Sequence, residues 1–210
     1  MARLNIAPTK SNLLTLRRDL AVAREGFGLL DQKREILVLE LMLILGQARE
    51  LQAKLEHIQG QALEALRQAI ARSGYDRLAA AAGGVHYRHA VELETRIVAG
   101  VRVPRLTVRL DPLRPQFAFA GSDSGMDEVM ALFLQLLELG GKLAQMETTV
   151  MLLAVDLKKT QRRVNALEQV FIPNFKDTLK YVGNALESKE LESIFTLKLV
   201  KNRLQQDRGN

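Results

Sequence analysis

Few side chains in this 210-residue chain are of types and spacings that could do chemistry. The histidines are His57, His86 and His89. They lack supporting carboxylates, and an HxxH pair on a strand points to opposite faces, so they do not read as a metal set. No GxxxxGK[ST] phosphate loop occurs. Gly140-Gly141 falls inside a helical repeat, which suggests close helix approach or local flexibility rather than a phosphate cradle. With no cysteine there is no thiolate nucleophile, disulfide or Cys-type zinc site, and that fits a reducing cytosolic compartment. Most Asp and Glu fall on outer helix positions, where charge solvates a face. What remains is a cationic run, Lys158, Lys159, Arg162 and Arg163, followed by Pro173 within a helical pattern. The run is either a solvated basic face or a surface for anionic partners; neither is catalytic chemistry, and no cofactor is implied.

The elements that carry this run are long. From Leu13 onward, alternating steps of three and four select an almost unbroken apolar seam that includes Leu20, Phe27, Leu37, Leu41, Ile44 and Leu51 and runs to Ala69; only Arg34 interrupts it. Pro8 suits a first-turn position at its start. A 3.5-residue repeat kept over this length imposes a left-handed supercoil, because an ideal helix has 3.6 residues per turn and must wrap to keep its stripe facing a partner. The arm is roughly 85 Å long at 1.5 Å per residue.

Ser73-Gly74 and Gly83-Gly84 then stop the helix. Over residues 89–110 the apolar period shortens towards two, with Val91, Leu93, Thr95 and Ile97 on one face, which predicts a small β-hairpin with its turn between Val98 and Pro104. Residues 111–125 hold two prolines and two glycines and read as a surface loop. Ser124 and Asp127 resemble a capping box opening the second arm. There the same count selects Leu136, Leu143, Val150, Leu157, Val164 and Phe171, with Thr160 as the polar member; Leu179, Val182, Leu186, Ile194 and Leu197 continue it less regularly. Pro173 removes a helical hydrogen bond, a defect of about 3 kcal/mol in a helix interior, and predicts a local kink.

Two seams of similar length should fold back on each other, since either alone would leave leucines in water. The expected fold is mainly α: two long helices in an antiparallel left-handed coiled coil with a small β-hairpin insert. The segments are 1–73 for the first arm, 74–125 for the insert and 126–210 for the second arm. The net charge is +6, and 47% of residues are hydrophobic, which excludes a disordered chain. The most apolar runs, such as residues 36–45, are too short for a membrane span, and the opening residues lack the apolar core of a secretion signal.

Three stretches resemble the D subunit of the V-type and A-type rotary ATPases: KKTQRRVNALEQVFIPNFKDTLKYV from Lys158, APTKSNLLTLRRDLAVAREGFGLLDQKREIL from Ala7, and GVRVPRL from Gly100. The first is specific, whereas leucine seams alone are generic. The resemblance implies a non-catalytic central rotor shaft that transmits torque, cytoplasmic and peripheral to the membrane, without insertion into it. The implied partners are the catalytic and regulatory ring subunits (A and B), the small F subunit and a membrane-side connecting subunit. On the matching motif it also implies that Arg162, Arg163, Asn165 and Glu168 form a contact and alignment set, with Pro173 shaping a bend. After Gln205 and across residues 79–89 the chain departs from the family pattern.

A basic coiled coil bridging nucleic acid, or a self-associating scaffold, would share the seams and the charge. The cations, however, alternate with Asp156, Glu168 and Asp177, and no aromatic stacking platform accompanies them, which disfavours a nucleic-acid partner.

Overall fold

The computed structural model describes residues 4–85, 89–110 and 123–207. In chain order its elements are α1 (Lys10–Ser73), α2 (Tyr75–Gly83), β1 (His89–Val98), β2 (Val101–Leu110), α3 (Ser124–Ala166), a π-helical turn (Leu167–Phe171) and α4 (Ile172–Asp207). The fold is mainly α, with one antiparallel two-stranded sheet among the described residues. Most of residues 111–125, the expected surface loop, lie outside the described residues, as does His86.

Each boundary has a local cause. Thr9 caps α1, its hydroxyl oxygen accepting from Asn12 N–H at 3.2 Å, so a free first-turn donor is satisfied. Pro8 therefore stands before the cap rather than in the first turn. At the other end Gly74, at φ 80°, donates to Ile70 O at 2.8 Å and closes the helix, a left-handed conformation that glycine adopts without a Cβ clash. The nine-residue α2 follows, within what the sequence predicts only as an insert. The capping box is corrected: α3 begins at Ser124 itself, and the Ser124 hydroxyl donates to Asp123 Oδ1 at 3.4 Å instead of covering a helix N–H.

The hairpin pairs Val98 with Val101 around Ala99-Gly100, with φ of 50° and 81°. Positive φ at both central residues makes this a two-residue primed turn, whose twist matches that of the strands. Gly100 suits it, while Ala99 bears a cost of roughly 1–2 kcal/mol. In this register Val91, Leu93, Thr95 and Ile97 stand opposite Val108, Leu106, Pro104 and Arg102.

The chain divides into two compact units. The middle unit, residues 36–157, is centred on the buried side chains Leu37, Ile44 and Leu153, with Leu41, Met146, Val150, Leu157 and the turn residues Val98, Ala99 and Val101 packed on them. Here α1 and α3 run antiparallel: a Cβ at Gly140 would stand 4.0 Å from Leu55, one at Gly125 would stand 3.8 Å from Ala69, and Arg72 meets Asp123 at 4.0 Å. A Cβ at Gly141 would come within 2.8 Å of Val108 and 3.0 Å of Leu106. The second glycine therefore admits a hairpin strand, not a helix. Leu106 N–H donates to Gln145 Oε1 at 2.8 Å beside it.

In the terminal unit, residues 1–35 and 158–210, Leu16, Ala23, Thr160, Val164, Thr178 and Val182 are buried. Leu4 N–H donates to Thr178 Oγ1 at 3.2 Å, and Lys10 Nζ meets Glu190 Oε1 at 2.7 Å, so the residues at the start of the chain are held against α4. Of the seam residues, Leu37, Ile44 and Val164 are buried, while Leu20, Phe27, Leu41, Leu51, Leu136, Leu143, Val150 and Leu157 are partly buried. Phe171 is a correction: it is 50% exposed, because the wider π turn breaks the spacing that would have aimed it inward. Ile194 and Leu197 are also exposed. Thr149 and Thr178 occupy buried positions, and each hydroxyl donates to the carbonyl four residues back at 2.8 and 2.7 Å, which satisfies it.

Candidate functional site

The cationic segment lies at the end of α3. Thr160 and Val164 are buried one turn apart, so they define the inward stripe, and at 100° per residue the intervening Arg162 must face away from it. Lys158, Lys159, Arg162, Arg163 and Asn165 are all exposed. Lys158 and Arg162, and likewise Lys159 and Arg163, are four residues apart and stack as two adjacent basic ridges. Such like-charge pairs destabilise a helix by roughly 0.2–0.5 kcal/mol each. Among the described residues none of the four makes an ion pair. Asn165 Oδ1 accepts from Gln161 Nε2 at 2.7 Å.

Glu168 lies in the π turn and is exposed; Pro173 follows the turn and is partly buried. Ile172 N–H donates to Leu167 O, five residues back. In a regular helix Pro173 would leave the Gln169 carbonyl without its donor and press its ring against that group. The π turn widens the helix just ahead of the proline, so the sequence-predicted kink takes the form of a local insertion in the hydrogen-bond ladder. The five candidate residues thus fall within twelve positions spanning the end of α3, the π turn and the first turn of α4.

Chemistry of other kinds finds little purchase. Among the described residues no three His, Asp or Glu side chains cluster as a metal set. A cavity of about 480 Å³ in the middle unit is lined by Leu66, Ile70, Tyr75, Met126, Met130 and Phe133 among others; it is apolar, without convergent charged groups. By length and composition alone, the helical stretch Ser124–Asn202 is apolar enough to cross a membrane, with a mean hydropathy of 1.2 over its most apolar window.

Sequence reasoning missed three features with structural consequences. These are the Gln145 bond to the hairpin, the Leu4 bond to Thr178 and the Lys10–Glu190 pair, all contacts between residues far apart in the chain that no local spacing signals.

The chain matches the family described as the D subunit of ATP synthase over residues 12–202. It is 39% identical to the V-type ATP synthase D 2 subunit of Treponema pallidum, with 94% of this chain and 95% of that protein covered. It is 36% identical to the A-type ATP synthase D subunit of Pyrococcus furiosus, with 96% of each covered. Against the V-type ATP synthase D subunit of Thermotoga neapolitana the identity is 32%, over 96% of this chain and 99% of that one.

Proposed function

The chain belongs to the ATP synthase D-subunit family, and from that membership we propose that it is the central-stalk rotor component of a V/A-type rotary ATPase. In this reading it is non-catalytic and transmits torque between the ring that handles ATP and the rotor that moves ions. The observation that carries the reading is the family match itself, which runs through both helical arms and the hairpin rather than through one generic coiled segment.

The chemistry of the terminal unit supports it. Residues 1–35 and 158–210 hold eighteen Lys and Arg against ten Asp and Glu, and the basic ridges at Lys158 to Arg163 have no ion-pair partner among the described residues. Repulsive stacking of this kind costs stability and is offset when an outside surface supplies carboxylates. We assign Arg162, Arg163, Asn165 and Glu168 to contact with the surrounding A and B ring subunits, and Pro173 with its π turn to shaping the helix there. The exposed Leu191, Ile194, Phe195, Leu197 and Leu199 on α4 suit an apolar bearing. The F subunit and a membrane-side connecting subunit complete the partners. Segments 1–73 and 126–210 act as the two arms and 74–125 as the membrane-side insert. The placement is peripheral and cytoplasmic, as membership of the family implies; the apolar stretch in α3 carries the Glu138–Lys142 pair at 2.6 Å, charges that a membrane span disfavours.

Torque in this scheme is a two-way bias. Closure of one catalytic interface favours one orientation of an asymmetric shaft, and that orientation favours the next interface to close. The test is reconstitution of the whole assembly in vesicles with Arg162→Ala/Arg163→Ala. ATP turnover is expected to persist while ions moved per ATP fall several-fold. Unchanged coupling, or a wild-type chain that fails to co-purify with ATP-binding subunits, would overturn the reading.

A further inference from the structure

Three features of the hairpin, taken together, describe a sheet whose two edges are treated differently. The two-residue turn makes Val98 and Val101 a hydrogen-bonded pair, and bonded pairs alternate along an antiparallel ladder. The backbone groups of Val91, Leu93, Thr95 and Ile97 on β1, and of Arg102, Pro104, Leu106 and Val108 on β2, therefore point away from the sheet. On β2 that outer edge is closed. Pro104 has no N–H to offer, Leu106 N–H is held by Gln145 at 2.8 Å, and the side chains of Leu106 and Val108 lie over Gly141.

On β1 the edge is open among the described residues. It is ten residues long, without proline or bulge. Among the described residues nothing bonds the outward backbone of Val91, Leu93, Thr95 or Ile97. The apolar side chains of this set are 56% exposed at Val91, 67% at Leu93 and 72% at Ile97. Long apolar edges of this kind pair with further strands unless they are blocked. Glu92 and Glu94, on the other face, do not block it: Glu92 is engaged by Arg109 at 3.1 Å, and Glu94 stands opposite Arg105.

We propose that β1 is a docking edge for an extended segment of another protein of the same assembly. That segment adds as a third strand, with alternate apolar side chains beside Val91, Leu93 and Ile97 and polar ones on the face of Glu92 and Glu94. The proposal rests on the rotary-assembly reading above. The occupant is a protein held elsewhere in the complex rather than a second copy of this chain. One edge about 33 Å long and one strand wide falls well short of the ~1,200–2,000 Å² that independent specific complexes bury. A segment tethered by other contacts binds at high effective concentration and needs no such area.

The experiment compares amide hydrogen exchange in the isolated full-length chain and in the purified assembly. Amides 91, 93, 95 and 97 should exchange freely in the isolated chain and become at least tenfold slower in the assembly, while amides 92, 94 and 96, already bonded to β2, change little. Leu93→Pro removes one outward donor without touching the β1–β2 ladder and should abolish the extra protection. Leu93→Lys keeps the donor and should weaken it. If the chain co-purifies with ATP-binding subunits and the four amides still exchange as in isolation, this proposal fails and the rotary reading stands. Failure to co-purify overturns both. Protection that appears in the isolated chain and rises with its concentration identifies a second copy as the occupant and overturns the proposal.

Discussion

The terminal and middle units are built from the same two helical arms, yet they solve different problems. The terminal unit has eighteen cations against ten anions, while residues 36–157 have twelve against fourteen. Its buried positions are few, with two threonines among them, and its irregularity is a π turn within a helix. The middle unit instead recruits non-helical chain, seating a hairpin turn on Leu37, Ile44 and Leu153 and a strand on Gly141. The unit without strands thus carries the excess of positive charge, and the unit with strands is nearly neutral. The difference arises from what is laid against the helices.

Removing the centre of the middle unit should break that contrast most severely. Leu153 is fully buried where α1, α3 and the hairpin turn meet. Leu153→Ala should cost about 2–5 kcal/mol through lost burial and a residual cavity. In urea melts followed by exchange at single amides, the hairpin should lose protection first while amides near Thr178 keep theirs. Equal loss in both units would show that they do not behave as separate bodies.

In the terminal unit the largest effect should have the opposite sign. Pro173→Ala restores an N–H for the Gln169 carbonyl, so the π turn can relax to regular α-helix. Stability should rise, by no more than the ~3 kcal/mol that proline costs in a helix interior, because the π turn already relieves part of that strain. Coupling in the assembly should fall while stability rises. A variant with unchanged coupling would show that the π turn is a tolerated defect and not a working part.

The two adjacent glycines sharpen the comparison within one helix turn. An added methyl at Gly141 collides with Val108 and Leu106, whereas one at Gly140 meets only Leu55 at 4.0 Å. Gly141→Ala should cost about 1–3 kcal/mol and loosen β2, as overpacking does. Gly140→Ala should be neutral or stabilising by up to about 1 kcal/mol from helix propensity. Thermal melting of the two variants, with Leu106 amide exchange, checks this; matching behaviour would mean the strand is not seated on Gly141.

What is legible in the sequence follows from the range of each interaction. The inward direction of Leu37, Ile44 and Val164 and the outer limits of the hairpin come from local periodicity, which spacing alone reveals, whereas the turn is confined only to the stretch from Val98 to Pro104. α2 escapes because nine residues rich in alanine and flanked by glycines hold too few apolar positions to set a period. Pro173 announces a defect but not its form, since the i−5 bond of Ile172 depends on how the ladder upstream rearranges. Gly141 announces close approach but not which element approaches, and the role of Gln145 cannot be read at all, because its partner lies thirty-nine residues away. The candidate contact residues are legible only as outward-facing charge. Their role comes from the family.

The smallest effect concerns the ends of the arms. Lys10 is held in its charged form above its ordinary range, first by its hydrogen bond to Glu190 and then by that carboxylate's charge. A raised lysine contributes stability that is fully present below its unfolded value of about 10.5 and is lost as pH rises through the folded value. The pair is exposed to solvent and salt, so its contribution is small and screened. Lys10→Ala should leave melting at neutral pH nearly unchanged and should flatten only the alkaline limb of the stability profile above about pH 10.5. A marked loss at pH 7 would mean that α1 depends on this contact to stay seated on α4, and that the terminal unit is held by charge more than by Leu16, Val164 and Val182.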